Sequence, residues 1–286
     1  MGRKLVIILG PTAVGKTDFS IETALSFGSP VISCDSRQIY REMSIGTAVP
    51  DASQLSAVKH YFIQTESVET LYTAGQYEQD ALALIGRLFA EGHETLVMTG
   101  GSMLYIDAVC KGLDDMPDTA PELRQELMSR LESEGLASLV AELRLRDPAA
   151  CAAISLDNPR RVLRALEVCL STGKPYSSFR TGCVRERGFE IEKIGLSRPR
   201  EILYERIDRR VEAMMDAGLL DEVRSLLPYR HLTALQTVGY RELFDYLDGT
   251  VSLDEAVSLI QKNSRHYAKR QLTWWRRDES IRWMEL

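Results

Sequence analysis

Eight residues near the start of the chain combine two glycines, a lysine and a hydroxyl at fixed spacing: Gly10-Pro11-Thr12-Ala13-Val14-Gly15-Lys16-Thr17. They fit G-x-x-x-x-G-K-[ST] in full, and each part has a chemical reason. Gly10 and Gly15 let the backbone wrap closely round an anion, because a Cβ would obstruct the turn or the approach. The amides around Gly15, Lys16 and Thr17 then point inward at a helix N-terminus, where the dipole favours negative charge. Lys16 adds a point charge on phosphate oxygens, and the Thr17 hydroxyl is placed to ligate Mg²⁺. The loop predicts a bound diphosphate or triphosphate without saying which compound carries it.

Other chemistry-bearing residues are less specific. Asp35 follows the apolar run Pro30–Cys34, at the C-terminal end of an expected strand. Ligands of open parallel sheets bind there, so Asp35 should face the same crevice as the glycine loop; Asp is also a common helix cap. Thr99-Gly100-Gly101-Ser102 is another glycine turn after a strand, holding a ligand or simply turning tightly. Arg160, Arg161 and Arg164 lie on adjacent faces of one helix, where a solvated charged face or an ion pair with acids such as Glu167 is the better reading of the pattern alone. Arg206, Arg209 and Arg210 share a helix with the apolar stripe Leu203, Ile207, Val211 and Met214. An arginine entering a phosphate site can neutralise a leaving diphosphate. Near the C-terminal end, Lys262, Arg265, His266, Lys269, Arg270, Arg276 and Arg277 interleave with Tyr267, Trp274 and Trp275. Basic residues track a phosphate backbone and aromatics offer stacking platforms, although core tryptophans with solvated charges would read the same.

The elements that must position these groups follow from periodicity. Lys4–Leu9 is a buried strand leading into the glycine loop, and Asp18–Phe27 continues as a helix. Further strands are expected at 30–34, 60–63, 94–98 and 189–196. Thr73-x-x-Gln76 and Ser252-x-x-Glu255 have the form of capping boxes, opening helices that run to about Gly92 and Gln271. Between Gly112 and Gly188 strand signals vanish. Thr119-x-x-Glu122 forms a third capping box, and helices are expected near 121–134, 136–145, 147–154 and from Asn158 to Gly173. Another helix should begin at Gln236. The expectation is an α/β fold: a P-loop NTPase-like core with a parallel sheet flanked by helices over 1–113 and 189–286, and a helical insertion over 114–188.

At 286 residues the chain can bury a large core, and 44% hydrophobic with 27% charged residues is ordinary globular composition. No apolar stretch approaches the ~20 residues of a membrane span, and the first apolar run is too short for a signal peptide; a cytoplasmic protein is expected. Cys34, Cys110, Cys151, Cys169 and Cys183 are scattered, suggesting neither disulfides nor zinc. The net charge of −6 argues weakly against a nucleic-acid partner, but clustered basic residues make net charge a poor guide.

Seven stretches together resemble the bacterial tRNA dimethylallyltransferases (tRNA isopentenyltransferases): Gly10–Thr17, Asp35–Tyr40 (DSRQIY), Ile45–Pro50 (IGTAVP), Gly100–Tyr105 (GGSMLY), Asn158–Val168 (NPRRVLRALEV), Gln236–Glu242 (QTVGYRE) and Tyr267–Arg276 (YAKRQLTWWR). They occur in the family's order and cover nearly the whole chain. The phosphate loop is widely shared; the DSRQIY and KRQLTW stretches are far more selective. The family transfers a dimethylallyl group from dimethylallyl diphosphate to N6 of the adenosine 3′-adjacent to the anticodon. The resemblance implies that Gly10, Thr12, Ala13, Val14, Gly15, Lys16 and Thr17 hold the diphosphate, with Mg²⁺ on Thr17. It implies that Asp35 is the general base, and that Ser36, Arg37 and Gln38 contact tRNA beside the target base. Ser102 stands where the family usually has threonine and keeps the hydroxyl of the substrate contact. Arg160, Arg161, Val162, Leu163 and Arg164 resemble an anticodon-loop contact region. Arg210 matches the arginine that neutralises the departing diphosphate, with Arg209 one position away as the alternative. Gln236, Gly239, Tyr240, Arg241, Lys269, Arg270, Gln271, Trp274 and Arg276 would complete the tRNA surface of a monomeric enzyme. A P-loop kinase of a small metabolite and a nucleotide-dependent RNA-binding switch share the loop, but neither explains the ordered motifs.

Overall fold

The computed structural model describes residues 2–182 and 184–286; Cys183 lies outside the described residues. The chain divides into two compact units: the residues up to Cys110 together with Glu186–Leu286, and Lys111–Arg185.

The larger unit begins with β1 (Lys4–Leu9), α1 (Lys16–Phe27), β2 (Val31–Ser33), α2 (Ala52–Ala57), β3 (His60–Tyr61), α3 (Ala74–Ala90), β4 (Thr95–Gly100) and α4 (Met103–Lys111). The smaller unit holds α5 (Pro121–Glu134), α6 (Leu136–Arg146), α7 (Pro148–Ala153) and α8 (Pro159–Thr172). The larger unit resumes with β5 (Glu190–Ser197), α9 (Arg200–Asp216), α10 (Leu219–Ser225), α11 (Tyr240–Leu247), α12 (Leu253–Trp275) and β6 (Ile281–Glu285).

The six strands form one sheet in the order β3-β2-β4-β1-β5-β6, and every pairing is parallel. A parallel strand in mid-sheet is covered on both faces, which is why β1 reads as the unbroken apolar run KLVIIL. Its side chains divide by the two-residue period. Leu5, Ile7 and Leu9 join a core with α3 and α4; Val6 and Ile8 join another with Ala24 of α1, Leu203 and Ile207 of α9 and Ala268 of α12. The C-terminal ends of β1, β2 and β4 lie side by side, so the glycine loop, Asp35 and the Gly100–Ser102 turn share one sheet edge.

Several local expectations change. Beyond the helix expected to end near Gln271 the chain adds a strand, β6; Ile281–Glu285 pairs with Lys193–Ser197 as a parallel edge strand, a pairing that a five-residue run cannot announce. Thr119 does not cap α5, whose N-cap is Ala120; its hydroxyl accepts from Arg164 instead. Thr73 caps α3 through Gln76 N, but Gln76 turns its side chain to Asp80, so the box is half made. The Ser252–Glu255 box is complete. Residues 233–235 make a short 3₁₀ turn, and α11 starts at Tyr240.

In the smaller unit, α8 buries Val162, Leu163, Ala165, Leu166 and Cys169 against Leu127 of α5 and Leu139 and Leu143 of α6. Pro159 sits at the first helical position and Gly173 ends the helix in a left-handed conformation. The burial of Val162 and Leu163 corrects their expected place on a tRNA surface: both side chains belong to this core. Among the described residues no helix is long and apolar enough to cross a membrane, and no group of three or more His, Cys, Asp or Glu could hold a metal.

Candidate active site

The glycine loop is built so that its carbonyls and its amides face different partners. Lys16 Nζ donates to the carbonyls of Gly10 and Pro11, each at 2.9 Å. Arg206 donates to Ala13 O and Arg198 to Val14 O, both at 2.8 Å. Thr12 N donates to Gln271 Oε1 at 2.9 Å, and Arg210 donates to the Thr12 hydroxyl at 3.0 Å. With the carbonyls taken by cations, the amides of Ala13, Gly15, Lys16 and Thr17 have no hydrogen-bond partner among the described residues. A concave run of unpaired N–H groups at a helix N-terminus is an anion site.

The backbone needs unusual angles to do this. Gly15 caps α1 at φ 114°, and a Cβ on Gly10 would lie 2.7 Å from the Leu196 carbonyl. Ala13 also has positive φ, 63°, which costs an L-residue roughly 1–2 kcal/mol. The bond from Arg206 to its carbonyl offsets that strain. Val14 corrects the expected list: its side chain is wholly buried and its amide turns back onto Pro11 O, so it supports the loop rather than offering a contact.

Two adjoining cavities open beside the loop, of about 480 Å³ and about 380 Å³. The larger is lined by Lys16, Thr17, Ser33, Gln38, Gly101 and Gln271 among others. The smaller is lined by Ser36, Arg37, Ser102, Gln236, Gly239, Arg241 and Arg270, with Ile207, Val211, Met214, Val238 and Ile260 as an apolar side. Thr12, Asp35, Thr47, Arg210 and Tyr267 line both.

Asp35 is thus at the junction, and its two oxygens differ. Oδ1 accepts from Arg37 N at 2.9 Å and Gln38 N at 3.3 Å, closing a turn. Oδ2 has no partner among the described residues. Asp35 therefore closes a turn rather than capping a helix, and it lines both cavities. Ser102 locks the turn: its hydroxyl accepts from Ser36 N at 2.8 Å and donates to Ser36 Oγ at 3.0 Å. Ser102 is accordingly a fixed part of the wall, and its only hydroxyl proton is committed. Gln38 is likewise committed, donating to Thr47 O and Ala48 O.

Burial, reinforced by Arg210, lowers the Lys16 pKa to about 8, while Asp35 acts in the opposite direction. Burial also lowers that of Arg210, again opposed by Asp35. The two cations share the Asp35 carboxylate as counter-charge in a partly desolvated crevice, a setting that favours a polyanion. Arg209 is exposed and ion-paired with Glu205 of its own helix. Arg209 and Arg210 both line the larger cavity, and of the two Arg210 bonds a loop side chain, the Thr12 hydroxyl.

Other expected residues separate into groups. Gln236, Gly239, Arg241 and Arg270 reach the smaller cavity. Tyr240 and Gln271 are buried, which corrects their expected place on the tRNA surface. Gln271 spends its amide on Thr12 N and Gly101 O, clamping two turns together. Lys269, Trp274 and Arg276 are exposed along α12 away from both cavities, and Trp274 donates to Asp107. Trp275 is core. Arg160 and Arg161 are exposed on α8 without a side-chain partner among the described residues. Arg164 is held by Thr119, Pro117 O and Glu167. Sequence reasoning missed the loop-holding role of Arg198 and Arg206; neither sits in a pattern that a phosphate motif includes.

A family model described as IPP transferase matches residues 38–278. The tRNA dimethylallyltransferase 1 of Bacteroides thetaiotaomicron is 53% identical over 279 residues, covering 98% of this chain and 90% of that protein. The crystal structure of the full-length tRNA isopentenylpyrophosphate transferase of Bacillus halodurans is 38% identical, with a TM-score of 0.71, over 99% of this chain and 90% of that one. A eukaryotic dimethylallyltransferase, in structures described as acting on tRNA, shares the fold with a TM-score of 0.81 at 24% identity, over 99% of this chain and 74% of that one. The chain belongs to the IPP transferase family, the family of the tRNA dimethylallyltransferases.

Proposed function

We propose that the two cavities divide the work of a tRNA dimethylallyltransferase, the larger holding dimethylallyl diphosphate and the smaller receiving the target adenosine of tRNA. The observation that carries this reading is Asp35, which lines both cavities with one carboxylate oxygen unpaired. Adenine N6 is a poor nucleophile because its lone pair is delocalised into the ring, so the donor must be a strong electrophile. As N6 bonds to the allylic carbon, the carbon–oxygen bond to diphosphate breaks and negative charge grows on the leaving group. Lys16, Arg210 and the unpaired amides of Ala13, Gly15, Lys16 and Thr17 stabilise that charge. Asp35 Oδ2 accepts the N6 proton, a contribution of about 10²–10⁴-fold by general-base precedent.

The residues present fit Mg²⁺. The Thr17 hydroxyl lines the larger cavity without a partner among the described residues. Mg²⁺ commonly takes few protein oxygens and completes its shell with phosphate oxygens and water, so the lack of a carboxylate cluster among the described residues is no obstacle. Bound by Thr17 and the donor, it would neutralise diphosphate charge.

The target base must leave its loop stack to enter the smaller cavity. Arg37, Arg241 and Arg270 at its wall, with Gln236, would meet the loop there, and Arg160 and Arg161 would meet tRNA phosphates from the helical unit. A monomeric, cytoplasmic enzyme is part of this reading. The test is transfer from labelled dimethylallyl diphosphate to unmodified tRNA. Asp35→Asn should lower the rate by about 10²–10⁴-fold while donor and tRNA affinities hold. A rate equal to the parent's would remove Asp35 from the role of base.

A further inference from the structure

Glu222 lies in the first turn of α10, and nothing in the proposed chemistry uses it. Its carboxylate accepts four hydrogen bonds. Oε2 takes Ser44 N at 2.9 Å and Ile45 N at 2.7 Å. Oε1 takes Gly46 N at 3.0 Å and the Tyr240 hydroxyl at 2.6 Å. Three consecutive amides turned onto one anion form a nest, here filled by the protein's own side chain.

The loop held in this way borders the site. Gly46 and Thr47 line the smaller cavity, and Thr47 lines both. The carbonyls of Thr47 and Ala48 accept from Gln38 Nε2, and Gln38 N donates to Asp35 Oδ1. Gly46 lies so close to Tyr240 that a Cβ on it would come within 2.6 Å of the ring. The loop is therefore clamped by α10 and α11 on one side and tied to the Asp35 turn on the other.

We propose that Glu222 is a positioning residue for the transfer: its carboxylate sets the Ser44–Ala48 loop and, through Gln38, the turn that aims Asp35. Glu222 acts through the loop, with no contact of its own to donor or base. This inference rests on the reading of Asp35 as proton acceptor. A carboxylate is required because all four partners are donors. Glutamine would keep one acceptor oxygen and turn an NH₂ toward the other two donors.

The test uses the full chain with Mg²⁺, unmodified tRNA and dimethylallyl diphosphate. Glu222→Gln and Gly46→Ala are compared for kcat, for KM with tRNA, and for donor Kd by titration. Both variants should lower kcat about tenfold or more, since misplacing a reacting group by about 1 Å costs up to about 10²-fold. Donor Kd should change less than kcat, because Thr47 and Ala48 form part of the donor cavity's wall while the phosphate loop itself is held by Arg198, Arg206 and Gln271. An unchanged kcat in Glu222→Gln would overturn the proposal, as would equal losses of kcat and donor affinity in both variants. If Glu222→Gln does not fold, Gly46→Ala, which displaces the same loop from its Tyr240 side, decides in the same terms. Asp35→Asn run alongside separates the two readings. Wild-type transfer by Asp35→Asn sinks both; an inactive Asp35→Asn beside an unimpaired Glu222→Gln sinks this one alone.

Discussion

Lys16 gives the phosphate loop a pH dependence of its own. Its pKa, near 10.5 in an ordinary setting, is pushed down to about 8 by burial and by Arg210. Between those values the unfolded chain binds more protons than the native one, so the Lys16 contribution to stability rises with pH across that window. Donor affinity moves the other way. Above about pH 8 the ligand-free enzyme loses the ammonium, and affinity for dimethylallyl diphosphate should weaken with rising pH. Titration calorimetry from about pH 7 to about pH 10 checks this, and Lys16→Ala should bind weakly and without that slope. The neighbouring arginines differ equally. Arg210→Ala should lower the transfer rate by about 10²–10³-fold, whereas loss of Arg209, exposed and paired with Glu205, should cost much less. Steady-state rates of the two variants decide between them. The motif residues were legible because a phosphate loop constrains types and spacing together. The reading of Arg210 over Arg209 was not, since both positions suit one helical pattern; both line the larger cavity, and of the two Arg210 is the one bonded to Thr12.

At the scale of elements, α12 does two things that its basic sequence conceals. Its exposed side carries Lys269, Arg270, Trp274 and Arg276, as expected of a surface for phosphates and bases. Its buried side sends Gln271 to Thr12 N and Gly101 O, joining the turns after β1 and β4. Gln271→Leu would leave the half-buried Thr12 amide unpaired and Gly101 O with the Tyr267 hydroxyl as its remaining donor, costing about 0.5–1.5 kcal/mol. Denaturant unfolding should show that loss, and donor affinity should fall with it because Thr12 anchors the loop. Helix positions and most strands could be read from periodicity and caps, as the Ser252–Glu255 box illustrates. The burial of Gln271, Tyr240, Val162 and Leu163 could not, because motif resemblance marks a residue as selected without saying whether it touches a ligand or a neighbour. Strand β6 escaped for a related reason: its only signature is a pairing with residues far away in sequence.

The whole molecule carries a net charge of −6 yet concentrates cations at the crevice and along α8 and α12. Binding of an RNA backbone should therefore weaken steeply with salt despite the acidic total. Arg161→Ala, which removes an exposed cation with no side-chain partner among the described residues, should reduce the slope of log K against log salt by about 0.7–0.9 if it meets one phosphate. Arg164→Ala should act chiefly on the stability of the helical unit, because that side chain is held by Thr119, Pro117 and Glu167. Filter binding across a salt series distinguishes the two. The central claim is that the crevice joining the two cavities transfers an allylic group to an adenine amine. Nucleoside mass analysis of unmodified tRNA incubated with the protein, Mg²⁺ and dimethylallyl diphosphate tests it most directly. The account predicts one adenosine gaining a single dimethylallyl group at N6, with the gain lost in Asp35→Asn. Folded protein that leaves several tRNAs unmodified while hydrolysing ATP without them would contradict it and return the loop to a kinase reading.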